Sequence, residues 1–119
     1  MATILIHNTW GKDGVERASL AFVVGKTALN SGQQAIMLLT IEGVWLATKG
    51  YTDGLVANGF EPLGKIIRDY IDGGGQLWAC GACAKPRKIT ETELIPGAQI
   101  VGATKAVEAI VNGAQTLSF

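Results

Sequence analysis

Apolar positions along the chain fall into short continuous runs separated by stretches of helical spacing. Thr3-Ile4-Leu5-Ile6-His7, Ala35-Ile36-Met37-Leu38-Leu39, Gln76-Leu77-Trp78-Ala79 and Gln99-Ile100-Val101 are the runs. A run with no polar alternation suits a strand covered on both faces, as in a parallel sheet. Between them, Val15, Ala18, Phe22, Gly25 and Leu29 lie on one side of a helix. Leu63, Ile66, Ile67 and Tyr70 repeat the pattern, and Val107, Ile110 and Val111 give a third stripe, read as an inner face. Thr116-Leu117-Ser118 predicts a last short strand.

Punctuation between these segments is consistent with that reading. Asp13 with Glu16, and Thr90 with Glu93, have the spacing of capping boxes, and Thr104 is placed to cap the last helix. Pro62 suits a first helical turn. Asn30-Ser31-Gly32, Gly73-Gly74-Gly75 and Gly113 read as stops. Glu42 to Lys49 predicts a short helical segment carrying Val44, Trp45 and Leu46, while Gly50 to Gly59 has no readable period.

Strands alternating with helices imply right-handed crossovers. The expected fold is a single-domain, three-layer α/β structure over residues 1–119, with a mostly parallel sheet of about five strands and helices on both faces. Such sheets bind and react at the carboxyl ends of their strands. His7 to Lys12, Thr40 to Trp45 and Cys80 to Lys88 are the loops at that edge, expected to surround one site.

Composition narrows the function classes. Hydrophobic residues make up 48% of the 119 positions and charged residues 17%, enough apolar material for one core. Ten Lys and Arg balance ten Asp and Glu, so no nucleic-acid partner is indicated. No apolar stretch approaches the ~20 residues that span a bilayer, and Met1 to Ile6 lacks the basic start of a signal peptide. A soluble, cytoplasmic protein with no membrane partner is expected.

The chemistry concentrates at Trp78-Ala79-Cys80-Gly81-Ala82-Cys83, which holds both cysteines. Cys80 falls where a strand gives way to a turn or short helix, and Lys85, Arg87 and Lys88 follow. Peptide N–H groups at a helix start and nearby cations both favour a thiolate, which attacks sulfane sulfur and disulfides far better than a thiol. The alternative is that the cysteines pack as small apolar residues. Two cysteines at this spacing also make half a zinc site, but the only histidine is His7 and two further ligands would be needed, so no metal is expected. His7 reads either as a hydrogen-bonded structural residue or as a proton donor or acceptor beside Cys80. Trp10 and Trp45 wall a pocket, form an interface or pack in the core. Glu42 reads as a helix cap in preference to a site carboxylate. No Gly-x-Gly-x-x-Gly or Walker sequence occurs, and no cofactor is expected.

Three features together resemble the DsrE/DsrF-like sulfur-relay family, which includes DsrE, TusD and YchN-like proteins. They are the opening strand with its Gly-containing loop and long helix, the Ile41-Glu42-Gly43-Val44 segment, and Leu77 through Arg87. The run from Leu94-Ile95-Pro96-Gly97-Ala98 to Val101-Gly102 extends the likeness over nearly the whole chain. Cys80 matches the family's cysteine after the third strand and Arg87 its following basic residue. Lys88 departs from the pattern, standing where glycine is usual. The resemblance implies sulfur carried as a persulfide on Cys80, a donor or acceptor partner protein, and a homotrimer or homohexamer. Whether such a protein is a sulfurtransferase or a carrier is left open. Cys83 leaves a thiol–disulfide redox role open, and a non-catalytic oligomeric binding module is the reading from another class. Trp10, Trp45, Val44 and Leu46 are expected to leave apolar surface for self-assembly.

Overall fold

A computed structural model describes residues 1–119. Five strands form one sheet: β1 (Thr3–Asn8), β2 (Gln34–Leu39), β3 (Gln76–Cys80), β4 (Ala98–Val101) and β5 (Gln115–Ser118). Every neighbouring pair is parallel, and the order across the sheet is β4-β3-β2-β1-β5. Four α-helices connect them: α1 (Val15–Asn30), α2 (Leu63–Asp72), the single-turn α3 (Gly81–Ala84) and α4 (Ala103–Val111).

The topology explains the layers. From β1 to β4 the chain steps one strand at a time in one direction, so crossovers of constant hand put α1 and α2 on the same face. The return from β4 to β5 runs the other way and puts α4 on the opposite face. Alternation along the strands divides the core to match. Ile6, Met37, Leu39, Leu77 and Ala79 face α1 and α2, in a core with Phe22, Leu63, Ile67 and Tyr70. Leu5, Ile36, Trp78 and Val101 face the other way, forming a smaller core with Ala109 and Ala114 packed against it. This is the three-layer α/β fold expected from the runs.

Several local expectations need correction. The Asp13–Glu16 box does not form: Asp13 Oδ1 accepts the Gly11 N–H at 2.8 Å, and after a 3₁₀ turn the helix starts behind Gly14. Pro62 lies just outside α2, its ψ of 134° being extended. Thr104 sits inside the first turn of α4, which Gly102 precedes. The Thr90–Glu93 box does form, with Glu93 Oε1 accepting the Thr90 N–H at 3.1 Å. Glu42 to Lys49 is helical only as a 3₁₀ segment ending at Ala47.

The largest correction concerns exposed apolar surface. Val44 and Leu46 are buried, and Trp10 and Trp45 are half-buried against the main core. The expected inner stripe of α4 is instead outside, with Val107 57%, Ile110 48% and Val111 78% exposed. Alanines meet the sheet in their place, because α4 lies close over a thin layer. No helix is long and apolar enough to cross a membrane.

Candidate functional site

Because all five strands are parallel, the carboxyl ends of β1, β2 and β3 meet at one edge, and the three loops expected there converge. The Thr40 N–H donates to Asn8 O at 3.2 Å and the Gly43 N–H to Thr9 O at 3.1 Å, binding the second loop to the first. Gly43 is required by this approach, since a Cβ built there would stand 2.5 Å from Asn8 O. Asn8 is fully buried and shapes the first loop, its amide donating to Trp10 O at 3.0 Å and its Oδ1 accepting the Trp10 N–H at 3.2 Å.

Cys80 is the last residue of β3 and the residue preceding α3, with extended backbone angles of φ −64° and ψ 123°. Cys83 is the third residue of that turn. Both are free thiols and half-buried. Gly81 keeps the turn close to β4, where an added Cβ would lie 3.3 Å from Val101 O. Ala82 is exposed, so the turn is open to a partner. A single helical turn offers a few N–H groups but no long dipole.

Arg87 directs its guanidinium at Glu42 and at the Cys83 carbonyl. Its Nη2 and Nε donate to Glu42 Oε1 at 3.1 and 3.3 Å, and its Nη1 donates to Cys83 O at 3.1 Å. This corrects the assignment of Glu42 as a cap: Thr40 precedes the 3₁₀ segment, and Glu42 instead ties the second loop to the cysteine turn. With its guanidinium partly exposed, the pair acts more as a geometric clamp than as a source of stability. Lys85 and Lys88 are exposed and are the cations of this turn outside that pair. Lys88 adopts φ 59°, a left-handed conformation that glycine takes without strain. The family's usual glycine therefore has a backbone reason, and the turn keeps its shape here despite the lysine.

Trp10 and Trp45 flank the first two loops. Arg17 lies over the Trp10 ring at 4.6 Å, and Trp45 stacks on Tyr51 with centroids 5.9 Å apart. Tyr51 accepts the Lys12 N–H at 2.8 Å, and burial raises its hydroxyl above the ordinary range. Tyr51 falls in the unreadable 50–59 stretch, where no sequence signal marked it.

His7 Nε2 lies 2.6 Å from Thr40 Oγ1, and burial lowers its pKa from the ordinary value, favouring the neutral imidazole. It does not gather with the cysteines and a carboxylate into a metal-binding cluster. Thr40 was not singled out from the sequence. A cleft of about 720 Å³ beside α2, lined by Asp53, Arg68 and Pro96, contains neither cysteine.

The comparisons with known proteins agree with this architecture. The family model described as the DsrE/DsrF-like family matches residues 2–119. An uncharacterized protein of Methanocaldococcus jannaschii is 32% identical over 84% of the chain, but the chain covers 36% of that relative's length. An uncharacterized protein of Methanopyrus kandleri is 33% identical over 73% of the chain and 69% of its own length. Among solved structures, the YchN protein of E. coli superposes with a TM-score of 0.76 at 16% identity, covering all of both chains. A protein of unknown function from Methanobacterium thermoautotrophicum gives 0.79 at 11% identity, again over both whole chains. At these identities the two structures speak for the fold alone.

Proposed function

Because the chain belongs to the DsrE/DsrF-like family, for which a sulfur-relay role is indicated at the family level, we propose that it carries sulfane sulfur as a persulfide on Cys80 and passes it to an acceptor protein. The observation that carries the reading is the placement of Cys80: a half-buried free thiol at the carboxyl edge of a parallel sheet, opening a one-turn helix with exposed Ala82. In the loading step the Cys80 thiolate attacks the terminal sulfur of a donor persulfide. The donor's S–S bond breaks, the donor leaves as a thiolate, and Cys80 gains an S–S bond to the transferred sulfur. Delivery is the same displacement, with the acceptor thiolate attacking that outer sulfur and Cys80 leaving. Neither step needs an oxidant or a cofactor. A reducing cytoplasm is the compartment in which free thiols of this kind persist.

Exposure of the reduced protein to a polysulfide donor, followed by intact mass spectrometry, tests the proposal. One added sulfur atom per chain, removed by a thiol reductant, is the expected result; an unchanged mass overturns it.

A dithiol–disulfide role is the second reading, and one observation favours it. Cys80 immediately precedes α3 and Cys83 is its third residue, so the two thiols stand three residues apart at the start of one helical turn.

Assembly of several copies belongs to the same proposal. The exposed Val107, Ile110 and Val111 stripe of α4 is the surface it would use, in place of the Trp10 and Trp45 surface expected from the sequence. Light scattering should give a multiple of the chain mass at micromolar concentration, and Ile110→Asp should reduce it. A monomer mass for the unaltered protein rules assembly out.

A further inference from the structure

We propose that the Arg87 guanidinium receives anionic sulfane-sulfur donors at the cysteine turn, and that Glu42 sets how much of its charge they meet. This rests on the reading of Cys80 as the sulfur carrier and names the class of donor it takes: a terminal sulfane anion, as in inorganic polysulfide or a thiol persulfide.

The contacts that hold Arg87 converge on the cysteine turn. The pairing of β2 with β3 ends at Leu39 and Ala79, so Glu42 follows the end of one strand and Cys80 ends the other. The 3₁₀ segment that carries Glu42 packs against both β3 and α3. From the other side, Arg87 Nη1 donates to the carbonyl of Cys83 at 3.1 Å. Val44, just after Glu42, and Ala84, just before the turn that carries Arg87, belong to the core against which Cys80 and Cys83 pack. The backbone is strained on both sides of the Glu42–Arg87 pair. Ile41 and Lys88 are the non-glycine residues with left-handed angles, φ 54° and 59°, and each adjoins one member of the pair. A β-branched residue rarely takes that conformation, and Ile41 is 52% exposed, so core packing does not hold it there. Such conformations cost free energy and gather where a site needs a fixed geometry. The two bends share the ion pair that lies between them.

The donor count leaves room for a ligand. A guanidinium carries five N–H groups. Glu42 Oε1 accepts from Nε and Nη2, and Cys83 O from Nη1, which leaves one N–H on each Nη without a protein partner. The Arg87 side chain is 24% exposed, so a solute can reach them. Two N–H groups on one rigid plane suit a delocalised anion. Lys85 and Lys88 are exposed, and their flexible, strongly hydrated ammonium groups supply charge without a fixed geometry. The transfer step needs such a cation. The Cys80 thiolate attacks the outer sulfur of a donor R–S–S⁻, the donor's S–S bond breaks, and the products are Cys80–S–S⁻ and R–S⁻. Two negative charges enter and two leave, no proton moves, and no outside oxidant or reductant takes part. A positive charge at the turn offsets the repulsion between thiolate and donor, and a neutral reagent gains nothing from it. Glu42 both aims the guanidinium and cancels part of its charge.

Charge selection is read with two alkylating agents that share a leaving group, anionic iodoacetate and neutral iodoacetamide. The same thiolate attacks both, so the ratio of the two rates cancels the thiol pKa. In the Cys83→Ser background, Cys80 is the only thiol. At low salt, Arg87→Gln should lower the iodoacetate-to-iodoacetamide ratio about threefold and Glu42→Gln should raise it by a similar factor, the scale of one charge acting across several ångströms of water. Glutamine at position 42 keeps an oxygen for Nε and Nη2, so the guanidinium stays aimed. Both changes remove the same ion pair, so a merely structural role moves the ratio in the same direction in both. A same-direction shift overturns the proposal, as does a native ratio in Arg87→Gln. So does a shift that survives about 1 M salt, where charges are screened beyond ~3 Å. Circular dichroism melts confirm folding, and if Arg87→Gln does not fold, the sign of the Glu42→Gln shift decides. Sodium tetrasulfide and cysteine persulfide separate the two sources of the anion: the loading rate, divided by the iodoacetamide rate, should fall in Arg87→Gln for the donor the site takes, and a fall for neither overturns the donor class. Alkylation does not read sulfur loading, so the two readings fail separately. Loading with a native ratio in Arg87→Gln keeps persulfide carriage and loses the anion seat, whereas no loading with a ratio that follows Arg87 keeps the seat and loses carriage.

Discussion

Cys80→Ser should abolish loading by a polysulfide donor, while Cys83→Ser should still take up one sulfur atom per chain. A carrier needs one nucleophilic sulfur, because the sulfane atom rides on a single thiolate. A dithiol redox protein needs both, since the second cysteine must resolve the mixed disulfide. The structure makes the two cysteines unequal in position: Cys80 ends β3 at the sheet edge, whereas Cys83 lies within α3 with its carbonyl held by Arg87. Serine is close to isosteric with cysteine, so both variants keep the turn, and a loss of loading reads chemistry. The complication is proximity. With Cys80 gone, Cys83 can receive sulfur slowly, and it would do so with a different pH dependence. If neither single variant loads while the unaltered protein cycles a Cys80–Cys83 disulfide with reductants, sulfur carriage gives way to the redox reading. Insulin reduction gives the reciprocal measurement, because Cys83→Ser abolishes a dithiol activity and leaves a carrier untouched.

Much of the architecture was legible because β1, β2 and β3 are largely buried on both faces and each long helix carries an apolar stripe. β1, β2, β3 and β4 fall on the four apolar runs, and α2 buries Leu63, Ile66, Ile67 and Tyr70 as its spacing requires. What misled were local signals that other groups satisfied. Asp13 has the spacing of a cap but spends its oxygen on the Gly11 N–H. The α4 stripe has ordinary amphipathic spacing, yet small residues dock the helix on the sheet and the larger ones face outward, which periodicity alone cannot distinguish. At the candidate site, Cys80 could be placed from its run and its spacing. The Glu42–Arg87 pair could not, because residues 45 apart in sequence meet only when β2 and β3 lie side by side.

Tyr70→Ala should cost about 3–5 kcal/mol of folding stability and lower the melting temperature sharply, the range measured when large aromatics are removed from cores. Tyr70 is fully buried between α2 and the sheet. Its ring meets Phe22 edge-on, with centroids 5.4 Å apart at 81°, joining α2 to α1. Its hydroxyl donates to Gln76 O at 2.7 Å, fastening α2 to the start of β3, and burial raises its pKa well above the ordinary range. Gly25 and Gly75 leave room for the ring; at Gly25 a Cβ would stand 2.7 Å from Tyr70 Cε1. Truncation therefore opens a cavity beside Phe22, and Gly25 and Gly75 have no side chains to move in and fill it. Tyr70→Phe separates the two contributions. It keeps the ring and removes only the hydrogen bond, so the loss should be about 1–3 kcal/mol, from leaving the Gln76 carbonyl unsatisfied. Urea unfolding of both variants measures the difference. For a domain with about 5–15 kcal/mol of total stability, the alanine variant loses a large share and the phenylalanine variant stays folded. Gln76 and Cys80 occupy opposite ends of β3, so Tyr70→Phe should alkylate at Cys80 at the native rate. Equal losses in the two variants would show that the hydroxyl, and not the ring, holds α2 on the sheet.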